Sequence, residues 1–289
     1  MVKIKILVQT DHLKLKTVRR RKKKKQFYTI LLVSVIVMWA ACVFLFCITY
    51  VVLGDYNGLG PKKSLKPNTL KQKNYFYDHN FLEYKDKKHT SEKGIDVSVF
   101  QGDIDWKKVR STGVKFVMIR IGYSGSDTGK IFRDTNYIKN LEGAKKAGIK
   151  VGVYFFSQAI TTEEAVKEAK FVIRNIRRKG IEYPVAYDME PSEGSRINKL
   201  STKERTEITD AFCSIIKSHG YETMVYGNLH WLTTKLDMEY LTAYGTWLAH
   251  YTDKTAYPNR FEMWQYSEKG RVAGIKKKVD LNIRFLKNN

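Results

Sequence analysis

From Gly94 onward, short apolar runs of strand length alternate with longer amphipathic ones, and this alternation leaves few architectures open to the chain. Strands are predicted at Gly94–Ser98, Lys115–Gly122, Lys150–Ser157, Tyr183–Asp188, Thr223–Gly227, Gly245–His250, Glu262–Tyr266 and Lys278–Leu281. Helices are predicted at Trp106–Thr112, Thr135–Ala147, Thr162–Lys179 and Thr202–His219. Asp105 and Asp134 are read as N-caps, and Gly113, Gly148, Gly180 and Gly220 as helix stops. Alternation of this kind over about eight strands predicts an α/β fold, an irregular (β/α) TIM-like barrel with some later helices degenerate. An open doubly wound sheet is the alternative. No glycine-rich phosphate loop follows a strand at the required spacing, which disfavours its nucleotide-binding form.

The N-terminal part has a different composition. Residues 1–26 carry eleven Lys or Arg and one acid, and residues 27–53 carry no charge. A run of about 20 apolar residues spans a bilayer core as a helix, and a basic flank on one side keeps that side in the cytoplasm. The expectation is a basic cytoplasmic tail at 1–26, a single transmembrane signal-anchor helix at 27–53, an extracytoplasmic linker at 54–93 and a barrel at 94–289. That places the protein in the cell membrane with the bilayer as a partner. Cleavage near Trp39-Ala40-Ala41-Cys42 is the rival reading, but the apolar run continues for eleven residues past Cys42. The linker is Lys-rich, carries Asn57-Gly58 and Gly60-Pro61, and has an aromatic cluster, Tyr75-Phe76-Tyr77, suited to docking on the domain or the membrane surface.

The net charge of +23 divides into +10 for the tail, +4 for residues 54–93 and +9 for the remainder. A basic tail beside a membrane helix reads as a topology and anionic-lipid signal, not as a nucleic-acid surface. Cys42 and Cys47 lie in the apolar run and Cys213 stands in a predicted helix, so no disulfide is expected within the external domain. Six histidines show no metal-ligand spacing, and Ser157 and Ser267 lack a nucleophile-elbow context. Neither a metal nor another cofactor is expected.

The chemistry concentrates in Asp188-Met189-Glu190, where a buried strand runs into a loop. Strand side chains at i and i+2 share a face, so both acids project into one cavity while Met189 turns away. Two carboxyls held there can be driven to different pKa values, as acid-catalysed cleavage requires. Asp96 and Asp280 fall at other strand ends, where a barrel keeps its catalytic groups. Tyr123, Tyr154, Phe156, Trp247, Tyr251, Trp264 and Tyr266 occupy comparable positions, and core packing accounts for about half of such aromatics. The rest offer flat faces for sugar rings.

Gly94-Ile95-Asp96-Val97-Ser98, Gln101-Gly102-Asp103-Ile104-Asp105-Trp106, Gly152-Val153-Tyr154, Tyr187-Asp188-Met189-Glu190, Trp247-Leu248-Ala249-His250-Tyr251, Trp264-Gln265-Tyr266 and Val279-Asp280-Leu281-Asn282 together resemble the successive signatures of glycoside hydrolase family 25. The resemblance covers essentially all of residues 94–289. It implies an irregular (β/α) barrel acting as an N-acetylmuramidase, a lysozyme that cleaves the β-1,4 bond between N-acetylmuramic acid and N-acetylglucosamine in peptidoglycan. It also implies that Glu190 is the general acid, that Asp188 is its paired carboxylate, and that Asp96 and Asp280 line the cleft. Tyr123, Tyr154, Phe156, Trp247, Tyr251, Trp264 and Gln265 are the expected substrate-binding residues. Many members have Tyr-His-Phe where this chain has Tyr154-Phe155-Phe156, a departure that bears on substrate preference.

Overall fold

The computed structural model describes residues 24, 26–42, 56 and 58–288. The chain divides into two compact units, 1–55 and Tyr56–Asn289. In the first unit residues 26–42 form helix α1. Among the described residues no helix is long and apolar enough to cross a membrane. The predicted cytoplasmic tail, apart from residues 24 and 26, and positions 43–53 of the predicted span lie outside the described residues.

The second unit carries, in chain order, β1 (Tyr75–Asp78), β2 (Phe81–Tyr84), β3 (His89–Val97), α2 (Trp106–Ser111), β4 (Phe116–Ser124), β5 (Ile131–Arg133), α3 (Tyr137–Lys146) and β6 (Lys150–Ser157). These are followed by α4 (Thr162–Ile176), β7 (Val185–Met189), α5 (Thr202–Ser218), β8 (Thr223–Asn228), β9 (Gly245–Ala249), β10 (Met263–Gly270) and β11 (Val279–Lys287). Among the described residues eight strands close into a barrel in the order β3, β4, β6, β7, β8, β9, β10, β11, and β11 pairs back to β3. Strands β3 to β10 run parallel around the wall, and β11 is antiparallel to both neighbours. Helices α2 to α5 cover the first half of the wall, whereas the later crossovers reduce to a π-helical turn at Trp231–Lys235 and loops.

Side-chain alternation separates two cores. Phe116, Met118, Ala186, Met224, Trp247 and Met263 fill the barrel interior. Val117, Ile119, Val185, Tyr187, Met189 and Leu248, one position out of phase, pack outward with the helices. Gly94 faces inward because the Phe116 ring occupies the space a Cβ would need, the nearest ring atom being 2.1 Å from it. Helix ends follow local chemistry. Asp105 accepts from the Lys108 N–H, and Ser201 with Glu204 forms a reciprocal capping box at the start of α5. The four predicted glycine stops all adopt positive φ.

Three expectations need correction. The segment 54–93 is not a spacer over its length: β1, β2 and the first part of β3 lie in it, and Phe81, Leu82 and Tyr84 are buried. Its Lys-rich composition, with Phe76 and Tyr77 of β1 exposed, hid this. Tyr75 docks edge-on against Tyr84, Trp264 and Phe285, while Phe76 and Tyr77 stay exposed. The last strand was expected to run parallel, and it runs antiparallel. Asp134 is no N-cap: it is buried, takes the Arg120 Nε–H at 2.9 Å, and accepts from the Val99 and Asn136 N–H groups.

Candidate active site

The strand order brings the four predicted acids to one rim. Asp96 is the penultimate residue of β3 and Asp188 of β7, at the C-terminal edge of the parallel wall. Asp280 sits at the opposite, N-terminal end of its own strand. Because β11 is antiparallel, that end lies directly across from Asp96. Glu190 follows β7 by one residue, and Met189 between the two acids packs in the outer layer as the i, i+2 argument predicts.

Asp96 is fixed from several sides. Its Oδ2 accepts from Gln265 Nε2 at 2.8 Å and from Asn282 Nδ2 at 2.7 Å. The Gln265 amide is oriented by the hydroxyls of Tyr226 and Tyr251, which donate to its Oε1 at 2.9 and 3.1 Å. The Asn282 amide is oriented by Trp247 Nε1, which donates to its Oδ1 at 2.8 Å. Asp280 adds a carboxyl–carboxylate hydrogen bond to Asp96.

The electrostatics follow from burial of like charges. Glu190 is raised to about 7 by burial and then by the charge of Asp96. Burial, followed by the charge and hydrogen bond of Asp96, raises Asp280 to about 8. Burial also raises Asp96, against which the donated hydrogen bonds act. Burial, then the charges of Glu190 and Asp96, push Asp188 well above the carboxylate range, with Arg120 opposing. The physical reason is that Asp188 lies deeper than Glu190 and that its Oδ1 is buried without a hydrogen-bond partner. The four carboxyls therefore share their protons among them.

The predicted aromatics separate by strand phase. Tyr154 and Trp247 face the interior, edge to face at 6.0 Å, and Phe156 shares their face beside Asp188 in the β6–β7 register. Tyr251 is half exposed at the rim. Tyr123 stacks on Phe132 at 5.3 Å and lies under the Arg120 guanidinium. Trp264 is not brought to the cleft: it packs in the outer layer against Tyr75, Phe261 and Tyr266, and its Nε1 donates to the His250 carbonyl. The neighbouring Gln265 points inward instead, and the alternation within β10 could have revealed this.

Arg120, Tyr226 and Asn282 were missed as site residues, although Arg120 and Tyr226 share the inward phase of predicted strands and Asn282 follows the predicted Lys278–Leu281 by one residue. A polar network behind the site was also missed. Glu168 of α4 is buried, accepts from Ser124 and Ser157 hydroxyls at 2.6 and 2.7 Å, and is raised to about 7 by desolvation. The Ser124 hydroxyl in turn accepts from Gln158 N, and Gln158 Nε2 donates to the Glu190 carbonyl at 3.2 Å. No group of His, Cys, Asp and Glu suited to a metal ion occurs among the described residues.

A barrel whose rim gathers an acid held near neutrality, a deeper carboxyl partner and aromatic faces defines a glycoside hydrolase. The family model of the glycosyl hydrolases family 25 matches residues 95–275, and the chain belongs to that family. It is 28% identical over 201 residues to "Lysozyme M1" of Streptomyces globisporus, covering 65% of this chain and 66% of that one. It is 27% identical over 191 residues to the "Autolytic lysozyme" of Clostridium acetobutylicum, covering 66% of this chain and 55% of that one. Among solved structures, the modular autolysin LytC of Streptococcus pneumoniae superposes with a TM-score of 0.62 at 26% identity, over 73% of this chain and 52% of LytC. Its complex with a synthetic peptidoglycan ligand gives 0.59 at 27% identity, over 68% of this chain and 47% of LytC. The chain thus matches about half the length of LytC.

Proposed function

We propose that the chain is a membrane-anchored peptidoglycan hydrolase of the lysozyme type, cleaving the β-1,4 bond from N-acetylmuramic acid to N-acetylglucosamine. The observation that carries this reading is Glu190, whose carboxyl is raised to about 7 at the rim where Asp96, Asp188 and Asp280 converge. A carboxyl still protonated near neutral pH can donate to the leaving glycosidic oxygen. The lysozyme names of the relatives and the peptidoglycan-bound LytC support the substrate.

The unpartnered Asp188 Oδ1 supports a substrate-assisted course. In it, the acetamide N–H of the muramic acid donates to Asp188, which favours the ionised carboxyl there. The acetamide oxygen then closes on the anomeric carbon as Glu190 protonates the leaving oxygen. Water, deprotonated by the Glu190 carboxylate, opens the ring and restores the original anomeric configuration. Tyr154, Phe156 and Tyr251 present rings to the sugars, whereas the fully buried Trp247 orients Asn282, Tyr123 is stacked on Phe132, and Gln265 holds Asp96.

The uncharged run at 27–53 behind a basic block supports a single-pass anchor with the barrel on the wall side. That location suits local remodelling or lysis of the wall near the producing membrane. The test is release of reducing ends from purified peptidoglycan by the full chain, with Glu190→Gln as control. Equal release by both proteins, or none by wild type across several wall preparations, overturns the proposal. Fractionation tests the anchor: intact chain in the membrane supports it, and barrel free in the medium contradicts it.

A further inference from the structure

The β1–β2 hairpin lies outside residues 95–275 matched by the family model. It nevertheless forms one wall of an open cavity of about 410 Å³, whose other wall is built from Tyr251, Asp253, Tyr266 and Glu268. Three contacts hold the walls together. Tyr77 donates its hydroxyl to Asp253 Oδ1 at 2.6 Å, Gln72 Nε2 donates to the Asp253 carbonyl at 3.0 Å, and the Leu82 N–H donates to the Tyr266 hydroxyl at 3.0 Å.

The cavity and the catalytic cleft share Tyr251. Tyr251 lines it while donating to Gln265, the residue that holds Asp96. Leu281, which also lines it, follows Asp280 in the chain, and the Glu268 carboxylate acts on Asp280 electrostatically. Tyr77 and Tyr251 are 54% and 50% exposed, and each is tied at its hydroxyl, so their ring faces stay open in fixed positions.

Fixed, open aromatic faces beside carboxylates suit a ligand with apolar C–H faces and hydroxyl edges. The Asp253 carboxylate is engaged by the Tyr77 hydroxyl at 2.6 Å and Glu268 by Lys269 at 3.8 Å, so both acids already have partners. We propose that the hairpin cavity is an accessory binding site for the same glycan strand, seating sugar rings beyond the cleaved bond on Tyr77 and Tyr251. This rests on the hydrolase reading above and adds to it a preference for long strands, carried by a hairpin outside the matched family region.

The test compares kcat/KM of the full chain on long peptide-free glycan strands and on tetrasaccharide fragments. Tyr77→Ala lowers the long-to-short ratio about fivefold, as loss of one stacking face implies, and Tyr77→Phe, which keeps the ring, holds it within about twofold. An unchanged ratio in Tyr77→Ala overturns the proposal, as does a fall seen only on strands that bear peptide stems, which assigns the cavity to peptide. Sedimentation of the Glu190→Gln full chain with purified glycan strands tests the cavity apart from catalysis. Weaker binding on adding Tyr77→Ala supports the site even if wild type cuts nothing, and equal binding overturns it.

Discussion

Asp280 lies directly across from Asp96 in the antiparallel pairing of β11 with β3, and their carboxyl groups share a hydrogen bond. Two acids so placed cannot both ionise cheaply, so one proton is kept between them. Asp280, raised to about 8, is the group that retains it near neutral pH, and the charge of Asp96 acts to raise both Asp280 and Glu190.

Replacing the retained proton by a permanent donor preserves this arrangement. Asp280→Asn is therefore expected to keep most activity, and Asp280→Ala to lose about ten- to a hundredfold in kcat/KM, as loss of a partner at a buried charge implies. Steady-state rates on solubilised glycan strands check the order. Equal losses in both variants contradict it.

Glu190 sets the alkaline limit of activity. With its pKa raised to about 7, the donor form is present below that value and is lost as pH rises through it. The kcat/KM profile of the free enzyme accordingly falls above about pH 7. Asp96→Asn removes the neighbouring charge and moves that limb to lower pH. A limb that stays in place shows that burial alone holds Glu190 up.

Glu168 makes stability depend on pH. Its folded pKa, about 7, exceeds the ordinary 4.5, so the folded state binds more protons in this window. The Glu168 contribution is fully present below about 4.5 and is lost as pH rises through about 7. Up to about 3 kcal/mol of unfolding free energy is at stake for such a shift. Denaturant melts of wild type are expected to weaken from pH 5 to pH 8, and Glu168→Gln to weaken less over that range. Parallel pH profiles for the two proteins would assign the dependence to other groups.

The hairpin and the start of β3 belong to the barrel unit. A chain beginning at Gly94 loses β1, β2 and the first part of β3, with the buried Phe81, Leu82 and Tyr84. Burying each such side chain contributes roughly 1.5–3 kcal/mol, so losing three of them removes an amount comparable with the whole stability margin of a typical domain. Near-UV circular dichroism is expected to show fixed aromatic packing in a chain from Gly58 and to lose it in a chain from Gly94. Native signal in both would return residues 58–93 to the role of a linker.

The barrel was legible because its inner and outer layers differ by one residue of phase, visible in Val185, Tyr187 and Met189 against Ala186 and Asp188. The same phase, applied to β10, separates Trp264 from Gln265, but the motif drew attention to the larger side chain. Asp280 was placed at the right rim for an incomplete reason, since strand direction depends on pairing that local sequence does not encode. The hairpin was obscured by lysines: Lys93, for instance, bonds Asp78 and Glu83 across it, so its charge reads as solvent-facing composition while its stem is largely covered. Glu168 was hidden in a helix whose other acids, Glu163 and Glu164, sit in its first turn, and only the fold brings Ser124 and Ser157 to it.

The most direct test of the account is the identity of the sugar at the newly made end. Purified peptidoglycan is digested with the full chain, reduced with borohydride, and its fragments analysed by mass spectrometry. Reduced N-acetylmuramic acid at the new termini, absent from the Glu190→Gln digest, is the predicted result. Reduced N-acetylglucosamine there, or muramic termini that persist in Glu190→Gln, would contradict it.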